Sequence, residues 1–187
     1  MNVILLSGGG GERLWPLSNS VESKQFLKVL RAPDGNYESM IQRAYRQLTT
    51  AGDAKIIVAT GSMQEQLVRE QLPDTVGVCV EPSRRNTFPA IALACMYLND
   101  IEKVADSRYV AVCPSDQYVS DGFYSSIFEL HEEELKDAEL TLIGIEPDEP
   151  SEKYGYIIPD STEHISKVKE FKEKPDRDTA EQYIQEG

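Results

Sequence analysis

Asn2-Val3-Ile4-Leu5-Leu6-Ser7-Gly8-Gly9-Gly10-Gly11-Glu12-Arg13-Leu14-Trp15-Pro16 is the stretch from which both the fold and the chemistry are read. A short apolar run, Asn2 to Leu6, leads almost directly into four consecutive glycines, a glutamate and an arginine. Glycine lacks a Cβ and enters φ > 0 freely, so successive backbone N–H groups can converge on one ligand. Converging N–H groups beside a guanidinium form an anion site, and phosphate is the usual anion. The same composition also makes a plain flexible turn. The familiar phosphate loops do not match. A G-x-G-x-x-G reading from Gly8 needs glycine where Arg13 stands, and no Gly-Lys-Ser/Thr triplet follows four spacers. The loop is therefore a nucleotide loop of another type, or a turn.

Outward from this stretch, the chain alternates strand and helix patterns. Apolar runs at Val3–Leu6, Ile56–Ala59, Val76–Val80, Tyr109–Cys113 and Leu140–Ile145 predict buried parallel strands. Met40, Ile41, Ala44, Tyr45 and Leu48 recur at helical spacing. So do Ile91, Ala94, Cys95 and Leu98, and Tyr124, Ile127, Phe128 and Leu135, with Pro89 in the first turn of its helix. A last helix-like stretch runs from Thr179 to Gln185. Short links between such elements predict an α/β doubly wound, mostly parallel sheet with helices on both faces and right-handed crossovers. Ligands of such sheets bind beyond the carboxyl ends of the strands. The glycine loop, Glu81 and Asp116 each follow a predicted strand end, so one cleft can collect them. No repeat or linker interrupts the chain, and residues 1–187 read as a single domain.

Composition narrows the chemistry. Nineteen basic against 32 acidic residues give a formal net charge of −13, which argues against a nucleic-acid partner and describes a solvated surface. No apolar run approaches the roughly 20 residues of a membrane span. The first strand begins one residue after Met1, with no signal segment ahead of it, which leads us to expect a cytoplasmic protein. Cys79, Cys95 and Cys113 form no C-x-x-C pair and sit among apolar neighbours, so each is expected to be a buried free thiol. His131 and His164 belong to no nucleophile–base arrangement.

Several blocks, in order, resemble a known family. Gly8 to Ser18 and then Lys24-Gln25-Phe26-Leu27 are similar to the signature Gly-Gly-x-Gly-x-Arg-Leu-Trp-Pro-Leu-Ser … Pro-Lys-Gln-Phe-Leu of the mannose-1-phosphate guanylyltransferases, members of the sugar-nucleotidyltransferases. Asn19 stands where that signature has arginine, and Ser23 where it has proline. Glu81-Pro82-Ser83-Arg84-Arg85-Asn86-Thr87-Phe88-Pro89-Ala90 resembles a second block, with Phe88 replacing a small residue. Pro114-Ser115-Asp116-Gln117, Tyr154-Gly155-Tyr156-Ile157 and Phe171-Lys172-Glu173-Lys174-Pro175 resemble three more. The likeness runs from residue 3 to about 176.

The resemblance implies a Rossmann-like nucleotide-diphospho-sugar transferase fold and transfer of GMP from GTP to mannose 1-phosphate, giving GDP-mannose and pyrophosphate. Two polyanions must meet in line, so such a site supplies N–H donors, cations and Mg2+ rather than a nucleophile. In that reading Gly8, Gly9 and Gly11 bind the triphosphate and Arg13 clamps its β- and γ-phosphates. Lys24 reaches the α-phosphate, and Asp116 holds Mg2+, a hard cation that takes carboxylate oxygens. Asp116 also suits a helix N-cap. Glu81 accepts the N1–H and N2–H2 donors of guanine, or else pairs with Arg84 or Arg85. Asn86 and Thr87 hydrogen-bond the nucleotide. Gly155 and Glu173 meet the sugar, and Lys174 its phosphate and the reaction. Glu173 and Lys174 are expected on one strand, where adjacent side chains face opposite ways unless the chain bends. The resemblance further implies more sheet and a second metal-binding aspartate after Gly187, so the chain reads as C-terminally truncated. A sister enzyme with another base or sugar, an inactive nucleotide-binding regulatory homologue, and assembly as a homo-oligomer all stay open.

Overall fold

The computed structural model describes residues 1–8, 14–19, 22–130, 135 and 138–186. They fall into two compact units, Met1–Lys136 and Asp137–Gly187.

The first unit is built on a parallel sheet. Its strands are β1 (Asn2–Ser7), β4 (Lys55–Gly61), β5 (Gly77–Glu81) and β6 (Val110–Pro114), in the order β5-β4-β1-β6. A two-residue antiparallel ribbon, β2 (Leu30–Arg31) with β3 (Tyr37–Glu38), stands apart. The helices are α1 (Met40–Ala51), α2 (Glu65–Gln71), α3 (Thr87–Asp100) and α4 (Phe123–Glu129). Strand alternation sorts the core into two layers. Val3 and Leu5 of β1, with Ile56 and Val58 of β4, pack against Ile41, Ala44 and Leu48 of α1, Val68 of α2 and Tyr124 and Ile127 of α4. Ile4, Ile57, Ala59 and Cys79 turn the other way and meet Ala94 and Leu98 of α3. Both faces of β1, β4 and β5 are covered, which is why these strands read as unbroken apolar runs, while the edge strand β6 leaves Val112 exposed.

The route of the chain decides where a ligand fits. From β1 it steps through α1 to β4 and through α2 to β5. Then α3 carries it back across the opposite face, so that β6 pairs with the free side of β1. The strand order reverses between β1 and β6, and the crevice beyond their carboxyl ends is the topological switch point. Local chemistry fixes the helix that leads out of the ribbon. Ser39 and Gln42 form a reciprocal capping box at the start of α1. At its other end, a Cβ on Gly52 would lie 2.5 Å from the Phe128 ring, so glycine lets α1 close onto α4.

The second unit contains the antiparallel hairpin β7 (Gly155–Pro159) and β8 (Val168–Glu173), then α5 (Arg177–Glu186). Ala180 is buried and Tyr156 stacks obliquely on Tyr183, their centroids 6.0 Å apart.

Four expectations are corrected. Leu140–Ile145 is not a strand: among the described residues no ladder partner engages it, and Leu140 and Ile145 are 79% and 67% exposed. An apolar run supplies side chains for a core, but a strand also requires a neighbouring backbone edge. Cys95 is exposed, because α3 buries the stripe Ala90, Ala94, Leu98, and residue 95 lies one helical step off it. Leu135, assigned to the stripe of Tyr124, lies beyond the end of α4 at Glu129, although it is buried. Lys174 is not on the strand with Glu173: β8 ends at Glu173 and Lys174 takes φ 45°.

Candidate active site

The crevice at the switch point is built from the ends of three strands and one turn. Beyond Ser7, β1 gives way to Gly8; β5 ends on Glu81; Pro114 ends β6, with Ser115 and Asp116 in the turn that follows. A single turn of 3-10 helix, Lys24–Phe26, supplies the facing cation. Lys24 Nζ lies 2.7 Å from Asp116 Oδ2, with the side chains 37% and 41% exposed. No helix starts at Asp116, so the capping alternative is excluded. The pair is half open to water, where an ion pair contributes on the order of 0–1 kcal/mol, and either partner is readily given up to a better one.

The backbone beneath this pair is held by buried polar groups. Ser23, Gln25 and Gln64 are at most 2% exposed. Gln64 Nε2 donates to Ser23 Oγ at 3.0 Å, and Gln25 Nε2 donates to the Ser7 carbonyl at 3.3 Å. Lys24 thus leaves the protein between two anchored neighbours. Ser23, which departs from the signature's proline, has its own function as the acceptor from Gln64.

Glu81 closes the other side. It is 8% exposed, and burial pushes its carboxyl up while the Arg84 guanidinium pulls it partly back. A Cβ built on Gly8 would sit 3.6 Å from Glu81 Oε1, so the ends of β1 and β5 share one cleft across β4. By strand alternation Glu81 lies on the same face as Cys79, the face covered by α3. Asn86 and Thr87 open that helix. Asn86 takes φ 66° and ψ −168°, a conformation that costs a non-glycine residue on the order of 1–3 kcal/mol, and its side chain forms no capping bond. Both residues are exposed, and Phe88 beside them is 79% exposed. Gly9, Gly11 and Arg13 lie outside the described residues.

In the second unit, Gly155 faces Glu173 across the hairpin. A Cβ on Gly155 would lie 2.5 Å from Phe171 Cζ and 3.0 Å from Glu173 Oε2, so the glycine admits both side chains over its backbone. The positive φ of Lys174 supplies the bend that alternation demanded: Lys174 Nζ reaches Glu173 Oε1 at 2.8 Å, both side chains 60% exposed.

Two other features do not compete for the chemistry. A cavity of about 560 Å3 lies among Met1, Lys55, Gly77 and Glu102, at the amino-terminal ends of the strands and away from the switch point. Burial raises the Cys113 thiol to about 11, which leaves it protonated and unsuited to attack or metal binding. Among the described residues no cluster of three or more His, Cys, Asp or Glu could hold a metal ion. Asp116 alone still fits Mg2+, which takes one or two carboxylates and completes its shell with water and substrate phosphate. Its carboxylate already faces a cation, the Lys24 ammonium.

The sequence profile described as "Nucleotidyl transferase" matches residues 2–187. The chain belongs to the nucleotidyl transferase family. Among its curated relatives is a mannose-1-phosphate guanylyltransferase of Klebsiella pneumoniae, 31% identical over 98% of the chain and 40% of that protein. The alginate biosynthesis protein AlgA of Pseudomonas putida is 33% identical over 98% of the chain and 38% of its own length. The nucleotidyl transferase chain thus spans about 40% of the length of the curated relatives it matches. A Thermus thermophilus structure described as a mannose-1-phosphate geranyltransferase aligns over all of this chain and 53% of its own, with TM-score 0.78 and 27% identity. A UDP-glucose pyrophosphorylase complexed with UDP-glucose aligns over 95% of this chain and 70% of its own, with TM-score 0.59 and 13% identity, a likeness of fold.

Within this nucleotidyl transferase, residue-by-residue reading of the sequence missed Ser7, Gln25, Thr60, Gln64 and Ser115. All are buried: Gln25 and Thr60 donate to the Ser7 carbonyl and Ser115 to the Leu6 carbonyl, near the carboxyl end of β1, and Gln64 donates to Ser23 Oγ. The available signal was modest: Ser7 and Ser115 directly follow apolar strand cores, where a polar residue reads as the strand's exit into solvent.

Proposed function

We propose that the chain is the nucleotide-binding part of a mannose-1-phosphate guanylyltransferase, which transfers GMP from GTP to mannose 1-phosphate and releases pyrophosphate. The observation that carries this reading is the Lys24–Asp116 pair at the switch point, with Gly8 and Glu81 bordering the same cleft. It is supported by curated relatives bearing that name.

In this reading the chain's own residues bind and orient. The half-exposed Lys24 ammonium leaves Asp116 for the α-phosphate, where its charge offsets the negative charge that develops during transfer. Asp116, once released, is the carboxylate that would hold Mg2+. The ion would supply further neutralisation of the phosphate oxygens. Glu81 accepts from guanine N1–H and N2–H2, a donor pair that adenine, uracil and thymine lack. A site built around a buried acceptor rejects bases that leave it unpaired. Asn86 and Thr87, exposed at the start of α3, bond the nucleotide; Gly9, Gly11 and Arg13 extend the phosphate contacts. Gly155, Glu173 and Lys174 receive the sugar phosphate. We place the activity in the cytoplasm, where GTP is available.

The test is a thermal-shift titration of the chain with GTP, ATP, UTP and dTTP in the presence of Mg2+. GTP is expected to give the largest shift. Equal shifts for GTP and ATP would reject the base assignment.

A further inference from the structure

We propose that Thr60 and Ser115 are positioning residues that aim the Gly8 N–H into the crevice between β1 and β6. The inference rests on the nucleotide-binding reading above. Strand β1 is central, with β4 on one side and β6 on the other. Its ladder with β4 ends at the pair Ser7–Thr60, and that with β6 at Leu6–Pro114. At this point two hydroxyls extend the ladders. Thr60 Oγ1, from the β4 side, donates to the Ser7 carbonyl at 3.2 Å. On the β6 side the Ser115 backbone N–H and Oγ both donate to the Leu6 carbonyl, at 3.0 and 2.9 Å. Ser7, Thr60 and Ser115 are at most 1% exposed.

The peptide plane converts these bonds into a direction. In an extended strand, successive carbonyls point to opposite sides, and the trans peptide sets each N–H antiparallel to the carbonyl before it. The Leu6 carbonyl points to β6, so the Ser7 carbonyl points to β4. Gly8 N–H, on the far side of the rigid Ser7–Gly8 peptide, is therefore directed back toward β6. On that side lie Asp116 and the Lys24 ammonium. Gln25 Nε2 also donates to the Ser7 carbonyl, so the turn carrying Lys24 is tied to the same peptide. One clamped carbonyl thus sets two phosphate donors together, Gly8 N–H directly and Lys24 through its neighbour.

Stability alone does not call for a hydroxyl here. Valine has the shape of threonine and suits a buried strand at least as well. What the hydroxyl adds is the orientation of one peptide plane. The clamp therefore acts on phosphate affinity and leaves base affinity alone, which gives a readout that a merely structural role would not move.

The experiment measures GTP and guanosine binding by calorimetry for the unaltered chain, Thr60→Val, Thr60→Ser and Ser115→Ala. Each variant is first checked for a cooperative melt. Thr60→Val is expected to weaken GTP by about tenfold, equivalent to ~1.4 kcal/mol, with guanosine unchanged. Thr60→Ser keeps the hydroxyl and should restore GTP affinity. Ser115→Ala, which keeps the backbone donor, should give a smaller loss for GTP only. Unchanged GTP affinity in Thr60→Val, equal losses for GTP and guanosine, or failure of Thr60→Ser to recover would overturn the proposal. A chain that binds guanosine but not GTP also overturns it. Absence of binding to either by the unaltered chain rejects the guanylyltransferase reading itself.

Discussion

The crevice of the first unit and the hairpin of the second hold the same kinds of residue in different ways. Around β1, Lys24 and Asp116 reach solvent from a backbone fixed by Ser23, Gln25, Gln64, Thr60 and Ser115, all buried and hydrogen-bonded. In β8 every residue is exposed, and Glu173 and Lys174 are set by the bend at Lys174 and by their own ion pair. A buried, hydrogen-bonded polar layer transmits position because shifting one member leaves a desolvated partner unpaired. An exposed hairpin has water as an alternative partner at every position. Substitutions in the crevice should therefore cost function steeply, whereas those in the hairpin should be graded and confined to the sugar phosphate.

The largest effect is expected at Asp116. In a guanylyltransferase of the relatives' full length, Asp116→Asn should lower pyrophosphate release with mannose 1-phosphate by ~100-fold or more, as for the loss of one transition-state contact, and should flatten its Mg2+ dependence. An unchanged Mg2+ dependence would assign the metal to another carboxylate and weaken the contrast between the two regions. Next is Lys24→Met, for which we expect about tenfold weaker GTP binding with the melting temperature almost unchanged, since a half-exposed pair holds little folding energy. A large loss of stability would mean that the pair is structural.

In the hairpin, Lys174→Gly separates conformation from charge. Glycine accepts the positive φ, so the melting temperature should hold or rise slightly. Affinity for mannose 1-phosphate should fall severalfold, as expected for an exposed contact, while GTP affinity stays the same. Loss of GTP affinity in this variant would show that the two regions do not act separately.

The smallest effect is expected at Glu81, and it has a pH signature. Burial raises its carboxyl in the folded chain, so the protonated form is favoured there. Its contribution to stability falls as pH rises from the unfolded value through the raised folded value, and above that range the penalty is constant. Glu81→Gln should therefore melt slightly higher than the unaltered chain at neutral pH, with the difference closing in acid. The same variant should lose preference for GTP over ATP. Parallel melting curves at all pH values would mean that Glu81 is not held as an uncompensated buried carboxylate.

Four of the five predicted strands form, along with the sheet class, and for one physical reason. A parallel strand covered on both faces must be apolar at every position, and Val3–Leu6, Ile56–Ala59 and Val76–Val80 display that demand directly, while the edge run Tyr109–Cys113 keeps the apolar pattern although Val112 is exposed. Gly8, Glu81 and Asp116 were legible as residues that follow or end strands, where ligands of such sheets bind, whereas Lys24 stands in a 3-10 turn and only the family resemblance pointed to it. Leu140–Ile145 shows the limit: its composition satisfies a strand, but pairing belongs to two backbones and cannot be written in one run of residues. Cys95 shows another, since a helix that buries a narrow stripe exposes apolar residues one step away.

By itself, then, the sequence determined which segments could be buried and which residue types could meet a triphosphate, because burial and charge are properties of each residue. Only the tertiary structure decided that Thr60 and Ser115, 53 and 109 positions from the carbonyls they hold, converge on the end of β1. It also decided that Lys24 rests on Asp116, and that Lys174 leaves its strand through a positive φ. Such contacts join residues distant along the chain, or impose a backbone angle on one of them. Their geometry follows from how the sheet and its turns pack, and no local pattern encodes it.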